Sequence, residues 1–370
     1  MVEALKKIDK KILLIVGIIL LLPIVIIIFL AIIQGCGNSK ITPEKFEEKM
    51  ISSAEKYFKE NGGLPKKESE VKVVNLDELV KGEYIKSTED LLGDDSCKGS
   101  VTVRKNGSTI EKNEGGFLNY IVSLECDEYK TKTLNSVLMN DLTTSGSGLY
   151  KDGNYYVYKG DQVKNYIEFF GKNYRIMNID EKGVAKLIKT ESESLDEYWD
   201  NKYNVETEDI SGKNIYADST VLKKLIENYS NNKIISENAR KHIVSKDVCV
   251  DSRSLEDGSI GNYDCTNKLA NQVISLIDIN DFARASLDVD CTSIYSRSCR
   301  NYNYLKELNL MTWTVNAVSD NTYGVYYLSS GVIRSQEAGK YQNYNIVIYI
   351  DTNEKITSGK GTVDEPYVLK

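Results

Sequence analysis

Residues 12–33 read ILLIVGIILLLPIVIIIFLAII, an unbroken apolar run without one charged side chain. At about 1.5 Å per residue, a helix of this length spans a hydrocarbon core of about 30 Å. A helix lying on a water-soluble core would keep polar positions along one face, and this run has none. Pro23 sits mid-run, where membrane helices accommodate a kink. Lys6, Lys7, Lys10 and Lys11 precede the run against Glu3 and Asp9, and the first charge beyond it is Lys40. That lysine bias predicts a cytoplasmic segment at 1–11, a transmembrane signal-anchor at 12–33 and the bulk of the chain outside the cell. The expected location is the cell membrane, single-pass, with the lipid bilayer as the first partner.

Two other readings of the run stay open. A cleaved signal peptide has an apolar region of about 7–15 residues, shorter than this one. Ile33-Gln34-Gly35-Cys36 resembles a bacterial lipobox, which would make Cys36 a lipidation site, although Gln34 stands where that pattern has a small residue. Anchor and lipid tether the same domains to the same outer face.

An exterior location changes how cysteines are read. Beyond Cys36 lie Cys97, Cys126, Cys249, Cys265, Cys291 and Cys299. An even set in an oxidising compartment predicts disulfides, and sequence neighbourhood favours 97–126, 249–265 and 291–299. A loop of the 249–265 size is worth roughly 3 kcal/mol on the chain-entropy view. No CxxC occurs and His242 is the single histidine, which argues against structural zinc. The net charge of −7 offers no basic stripe to neutralise phosphates, so nucleic acid is excluded as a partner. Tyrosine is abundant, at 25 against 7 Phe and 2 Trp, as suits strands whose rings pack while their hydroxyls stay wet.

Local patterns predict an α+β chain with two exterior units. Thr42 as N-cap and Pro43 at the first helical position open a helix carrying Phe46, Met50, Ala54, Tyr57 and Phe58 on one face, stopped at Asn61-Gly62-Gly63. A strand at 71–76, a helical turn at 77–81, a hairpin over 100–110 turning at Asn106-Gly107 and a strand at 117–126 complete a small membrane-proximal unit over 41–142. The small polar residues of 143–149 read as a linker. The larger unit, 150–370, opens with strands in YYVYKG, NYIEFFGKNYRIMNID and VAKLIKT, the last pair turning at Lys182-Gly183. Helices come next, from Ser219 or Asp218, near 236–244, and from Asp278, before strands return in YGVYYL, GVIRS and NIVIYI. Strands, then helices, then strands indicate one α+β domain.

Chemistry is harder to find. His242 reads as a helix-surface residue, and no base–nucleophile pair, phosphate loop or dinucleotide glycine pattern appears. Asp278, Asn280 and Asp281 offer oxygen ligands, as do Asp288 and Asp290, but they lack the glycine and distal glutamate of an EF-hand loop. Helix capping is the favoured role of Asp278; no cofactor is expected, and calcium is the one ion left open. Trp199 and Trp313 are the candidate ligand-binding residues, because exposed aromatics make strong anchors.

The tail carries a resemblance. Met311-Thr312-Trp313-Thr314-Val315, Tyr323-Gly324-Val325-Tyr326-Tyr327, Ser330-Gly331-Val332-Ile333, Asn345-Ile346-Val347-Ile348-Tyr349-Ile350, Lys355-Ile356-Thr357-Ser358-Gly359-Lys360-Gly361-Thr362 and Pro366-Tyr367-Val368-Leu369 succeed one another in order. With 276–287 and 301–305, they resemble a domain of unknown function on surface proteins of Firmicutes and related bacteria, over roughly 155–369. That domain is itself similar to the C-type-lectin-like and formylglycine-generating-enzyme-like fold. The helix-led unit at 41–142 resembles pilin-like membrane-proximal domains. The resemblance implies a scaffold rather than a ligand. The calcium-dependent sugar motif of C-type lectins is missing, since Trp313 is followed by Thr314 and Glu365-Pro366-Tyr367 lies at the other end. Cys291 and Cys299 read as a local clamp rather than a reactive pair. The expectation is a non-catalytic, membrane-tethered surface protein that recognises a surface ligand or envelope protein. A carboxylate-dependent enzyme acting on wall polymers, or an accessory subunit of an envelope or pilus-like assembly, is the alternative.

Overall fold

The computed structural model describes residues 40–369 apart from 69, 109–115, 262, 264 and 309, with the side chains of 194–196 also undescribed. The apolar run at 12–33 and Cys36 lie outside the described residues; among the described residues, no helix is long and apolar enough to cross a membrane. The chain is α+β, dominated by sheets.

Helix α1, Pro43–Asn61, starts where the sequence predicts: the Thr42 hydroxyl accepts from the Lys45 N–H, and Gly62 at φ 71° ends it. Its Phe46, Met50, Ala54 and Phe58 face is buried on a three-stranded antiparallel sheet. That sheet runs β1 (Val71–Asn75), β2 (Lys98–Asn106), β3 (Phe117–Glu125), with short helices α2 (Leu76–Lys81) and α3 (Thr88–Leu91) between β1 and β2. A Cys97–Cys126 disulfide ties the start of β2 to the end of β3.

The predicted hairpin at 100–110 is corrected. Residues 98–106 form one continuous strand, and Asn106 pairs with Phe117 rather than turning. Asn106 and Gly107 are spent on a tertiary contact instead. The Asn106 amide donates to the Lys241 carbonyl at 3.1 Å, and the Gly107 carbonyl accepts from the Tyr229 hydroxyl at 3.2 Å. Gly107 has φ 76°, and a Cβ there would sit 2.4 Å from the Arg240 carbonyl oxygen. Only glycine allows this approach.

The second apolar cluster begins at Leu134. Leu134 and Leu138, on the short helix α4 (Leu134–Leu138), pack with the larger unit although they precede 143–149. Within 143–149 the chain makes a tight turn, Thr143 N–H bonding Leu149 O at 2.8 Å, and Gly148 and Leu149 are buried in β4 (Gly148–Asp152). Next come β5 (Tyr155–Lys159), β6 (Tyr166–Phe169), β7 (Lys172–Ile179), β8 (Val184–Lys189) and β9 (Glu193–Tyr198). Helices α5 (Thr220–Ser230, capped by Ser219) and α6 (Glu237–Arg240) lead to strands β10 (Lys246–Cys249) and β11 (Lys268–Gln272). Helix α7 (Ile279–Arg284) precedes β12 (Met311–Ala317), β13 (Gly324–Ser329), β14 (Val332–Glu337), β15 (Tyr341–Tyr344), β16 (Val347–Asp351) and β17 (Tyr367–Leu369).

One sheet orders β16-β8-β7-β5-β4, with β7 also pairing β6 and β6 pairing β17 in parallel; a second orders β12-β13-β14. The extended residues 275–277 bridge them, Ser275 pairing with Val347 of β16 and Ile277 with Thr314 of β12. Trp199 and Trp313 fill this interior at 0 % exposure. Their indole N–H groups donate to Thr314 O at 2.8 Å and Glu197 O at 2.9 Å. Both are core residues, which corrects their candidacy as ligand-binding rings.

The two apolar clusters meet across a polar seam. Arg104 pairs with buried Asp351 at 2.8 Å, Lys355 with buried Glu47, and buried Glu354 takes the Asn119 amide and lies 3.0 Å from His242 Nδ1. His242 therefore belongs to the seam, with its ring 5.0 Å from that of Phe170, rather than to a free helix surface. The seam yields a contrast. Gly107→Ala should cost about 2 kcal/mol or more, whereas Gly146→Ala, at similar φ but in open space, should cost about 1 kcal/mol. Urea denaturation of the full-length chain reads the difference; equal costs would mean that the Gly107 approach is not tight.

Candidate functional site

A cleft of about 740 Å³ opens at the end of the larger unit. Its walls come from the β4–β5 turn (Asp152, Tyr155), the loop after β10 (Gly261, Tyr263) and the end of α7 (Arg284). Below it lies a tighter recess of about 100 Å³ sharing Tyr155, Tyr263 and Arg284. The rings of Tyr155 and Tyr263 stack at 4.0 Å with planes 9° apart, and the Arg284 guanidinium lies 4.0 Å from the Tyr263 ring centre. Tyr263 donates its hydroxyl to Asp152 Oδ2 at 3.2 Å. Separate chain segments thus converge on one half-buried aromatic platform.

The recess is a network of buried charge. Asp278, extended at the N-terminus of α7, accepts from the Asn280 N–H at 2.7 Å, and Asp281 returns a bond to the Asp278 N–H at 3.1 Å. The sequence predicts capping by Asp278, and the structure adds the reciprocal bond from Asp281. The other bonds of the network are tertiary. Asp281 also accepts from Lys186 of β8 at 2.5 Å and from Asn178 of β7 at 3.5 Å, while Asp278 accepts from Asn316 of β12 at 3.2 Å. Asp180 accepts from the N–H groups of Lys182 and Val184, both at 2.8 Å, and from Lys246. Tyr349 shares a 2.9 Å hydroxyl bond with Ser275. Burial works against charge on Lys186, but the nearby Asp281, Tyr349 and Asp278 outweigh it and hold the ammonium above the ordinary lysine value.

Asp180, Asp278 and Asp281 are each held by fixed donors. Of the oxygen donors considered for calcium, Asp288 accepts from the Asp290 N–H at 2.9 Å and from the Asn301 amide at 2.6 Å. Among the described residues, the clusters with metal-ligand spacing are Asp94–Cys97–Cys126, whose cysteines are bonded to each other, and Cys249–Asp251–Cys265.

The cysteines obey the neighbour pairing in two cases. Cys97–Cys126 and Cys291–Cys299 are disulfides, whereas Cys249 and Cys265 are two thiols, which corrects the third predicted bridge. Asp251 lies beside them, its carboxylate held by the N–H groups of Thr266 at 3.0 Å and Asn267 at 2.6 Å. Tyr155, Tyr263 and Arg284, which make the platform, carry no pattern in sequence beyond the general excess of tyrosine.

No family model, curated protein or solved structure matches this chain.

The Lys186–Asp281 pair gives a stability prediction. Asp281→Asn strands a buried ammonium and should destabilise the chain by about 3–5 kcal/mol. The raised pKa of Lys186 means that its contribution is complete below the ordinary lysine value. That contribution fades only as pH climbs through the still higher folded value. Denaturation midpoints at neutral pH and above pH ~10 check both statements. A neutral-pH loss under about 1 kcal/mol would remove the pair from its anchoring role.

Proposed function

We propose that this chain is a membrane-tethered, exterior, non-catalytic recognition protein whose larger unit binds a polar ligand in the cleft over Tyr155 and Tyr263. The observation that carries the reading is the platform: two stacked rings, a guanidinium and a carboxylate converging from separate segments on an open cleft. The edges and hydroxyls of the stacked rings, bordered by Arg284, Asp152, Lys159 and Glu181, suit a ligand rich in hydroxyl and amide groups, such as a wall glycan or its peptide. The committed carboxylates of the recess favour recognition over hydrolysis of wall polymers. The uncharged run at 12–33, its lysine flank and the two disulfides support the tether and the outer location. The ordered motifs of the tail support a lectin-like scaffold for the larger unit.

Two outcomes are expected. Removing residues 12–33 should move the protein from the membrane to the soluble fraction on cell fractionation. Full-length protein in detergent should bind soluble peptidoglycan fragments in calorimetry, and Tyr263→Ala should weaken that binding about 10-fold or more, whereas Tyr203→Ala, exposed and outside the cleft, leaves it unchanged. Equal binding by both variants would place any ligand elsewhere on the surface.

A further inference from the structure

The loop that carries Tyr263 is closed at its base by an unusual set of groups. Cys249 ends β10 and Cys265 lies just before β11, where Cys249 pairs with Lys268 and Val248 with Leu269. The two Sγ atoms and an Asp251 carboxylate oxygen all lie within 4.8 Å of one another, and all three residues are partly exposed. Cys249 Sγ points to Asp251 Oδ2 at 3.8 Å, and Cys265 Sγ to the Asn267 carbonyl at 3.4 Å. Two disulfides elsewhere in the same chain are closed, so this pair stands apart. The carboxylate and the two sulfurs together make a three-atom ligand set.

We propose that Cys249, Cys265 and Asp251 bind a soft or borderline divalent cation, with zinc as the probe, leaving a fourth position for water. Zinc–sulfur bonds of about 2.3 Å put two thiolates about 3.8 Å apart in a tetrahedral site, a spacing compatible with sulfurs that lie within 4.8 Å of each other. Two sulfurs and one carboxylate form a set that selects zinc over calcium or magnesium, which prefer all-oxygen sites. The Thr266 and Asn267 N–H groups already orient the Asp251 carboxylate, as outer partners of metal ligands do. Binding is a substitution without electron transfer: both thiol protons leave to solvent, and two S–Zn bonds and one O–Zn bond form. Cys249 also lines the recess. The site stands whether or not the cleft binds a polymer ligand.

The test uses the full-length chain in a Cys36→Ser background, purified without reductant and stripped with a chelator. Two titratable thiols and one zinc bound per chain are expected, with cobalt substitution giving a sulfur-to-metal charge-transfer band in the near ultraviolet. Affinity should fall by up to about 100-fold per unit drop in pH as two protons compete. Cys249→Ser and Cys265→Ser should each weaken zinc at least about 100-fold, and Asp251→Asn about 10-fold or more. The cobalt band is read on the unmutated cysteines, so a misfolded variant does not blunt the test. Absence of free thiols, with Cys249 and Cys265 found joined by peptide mass mapping, overturns the proposal in favour of a third disulfide. An unchanged affinity in Asp251→Asn also overturns it.

Discussion

The Lys186–Asp281 pair is the constraint on which the larger unit turns. Lys186 projects from β8, inside the seven-stranded sheet, and Asp281 sits in the first turn of α7. Asp281 is also half of the reciprocal cap with Asp278, whose other oxygen holds Asn316 of β12. The ion pair joins the seven-stranded sheet to α7, and the Asp278–Asn316 bond joins the start of that helix to β12. Burying such a pair is weak grounds for stability, because desolvation offsets much of the attraction. Its value here is positional. An apolar replacement could fill the space, but it would not hold α7 in one register, and α7 brings Arg284 to the cleft.

The seam between the two apolar clusters obeys the same logic at larger scale. Neither cluster continues across it, so there is little apolar area to drive docking. Charge pairs and one glycine contact do the locking: Arg104 with Asp351, Lys355 with Glu47, and Gly107 against Arg240. Asp351 closes β16, the strand that carries Tyr349 into the recess two residues earlier. The seam and the recess therefore share one short strand.

How much of this can be read in sequence depends on distance along the chain. The caps at Thr42, Ser219 and Asp278 are legible because each is settled within three residues. Asn106-Gly107 has the composition of a primed turn, yet the structure uses it against Lys241 and Arg240, far along the chain. Trp199 and Trp313 suggest anchors because tryptophan is often exposed at binding surfaces. Their indoles instead exchange bonds with each other's strand neighbourhood, Trp199 to Thr314 and Trp313 to Glu197. Periodicity in a window of about 11–18 residues carries no sign of such reciprocity. The platform residues are invisible for the same reason. Tyr155, Tyr263 and Arg284 come from three elements, and their meeting is a property of the topology.

The loop from Cys249 to Cys265 shows why the third cysteine pair differs from the other two. Cys97–Cys126 joins two ends of a hairpin that β2–β3 pairing already holds together, and Cys291–Cys299 clamps a short turn. The 249–265 loop has a further demand: it must deliver Tyr263 face-on to Tyr155 while Gly261 meets Asn280 and Arg284. Those contacts set the loop's far end from the α7 side. Its near end is set by β10–β11 pairing and by Asp251 bridging to Thr266 and Asn267. With both ends determined, the sulfurs take whatever separation remains, and Asp251 occupies the space beside them. Closure of the loop is therefore carried by a carboxylate with two amide donors, which leaves the thiols available for chemistry other than a bond to each other.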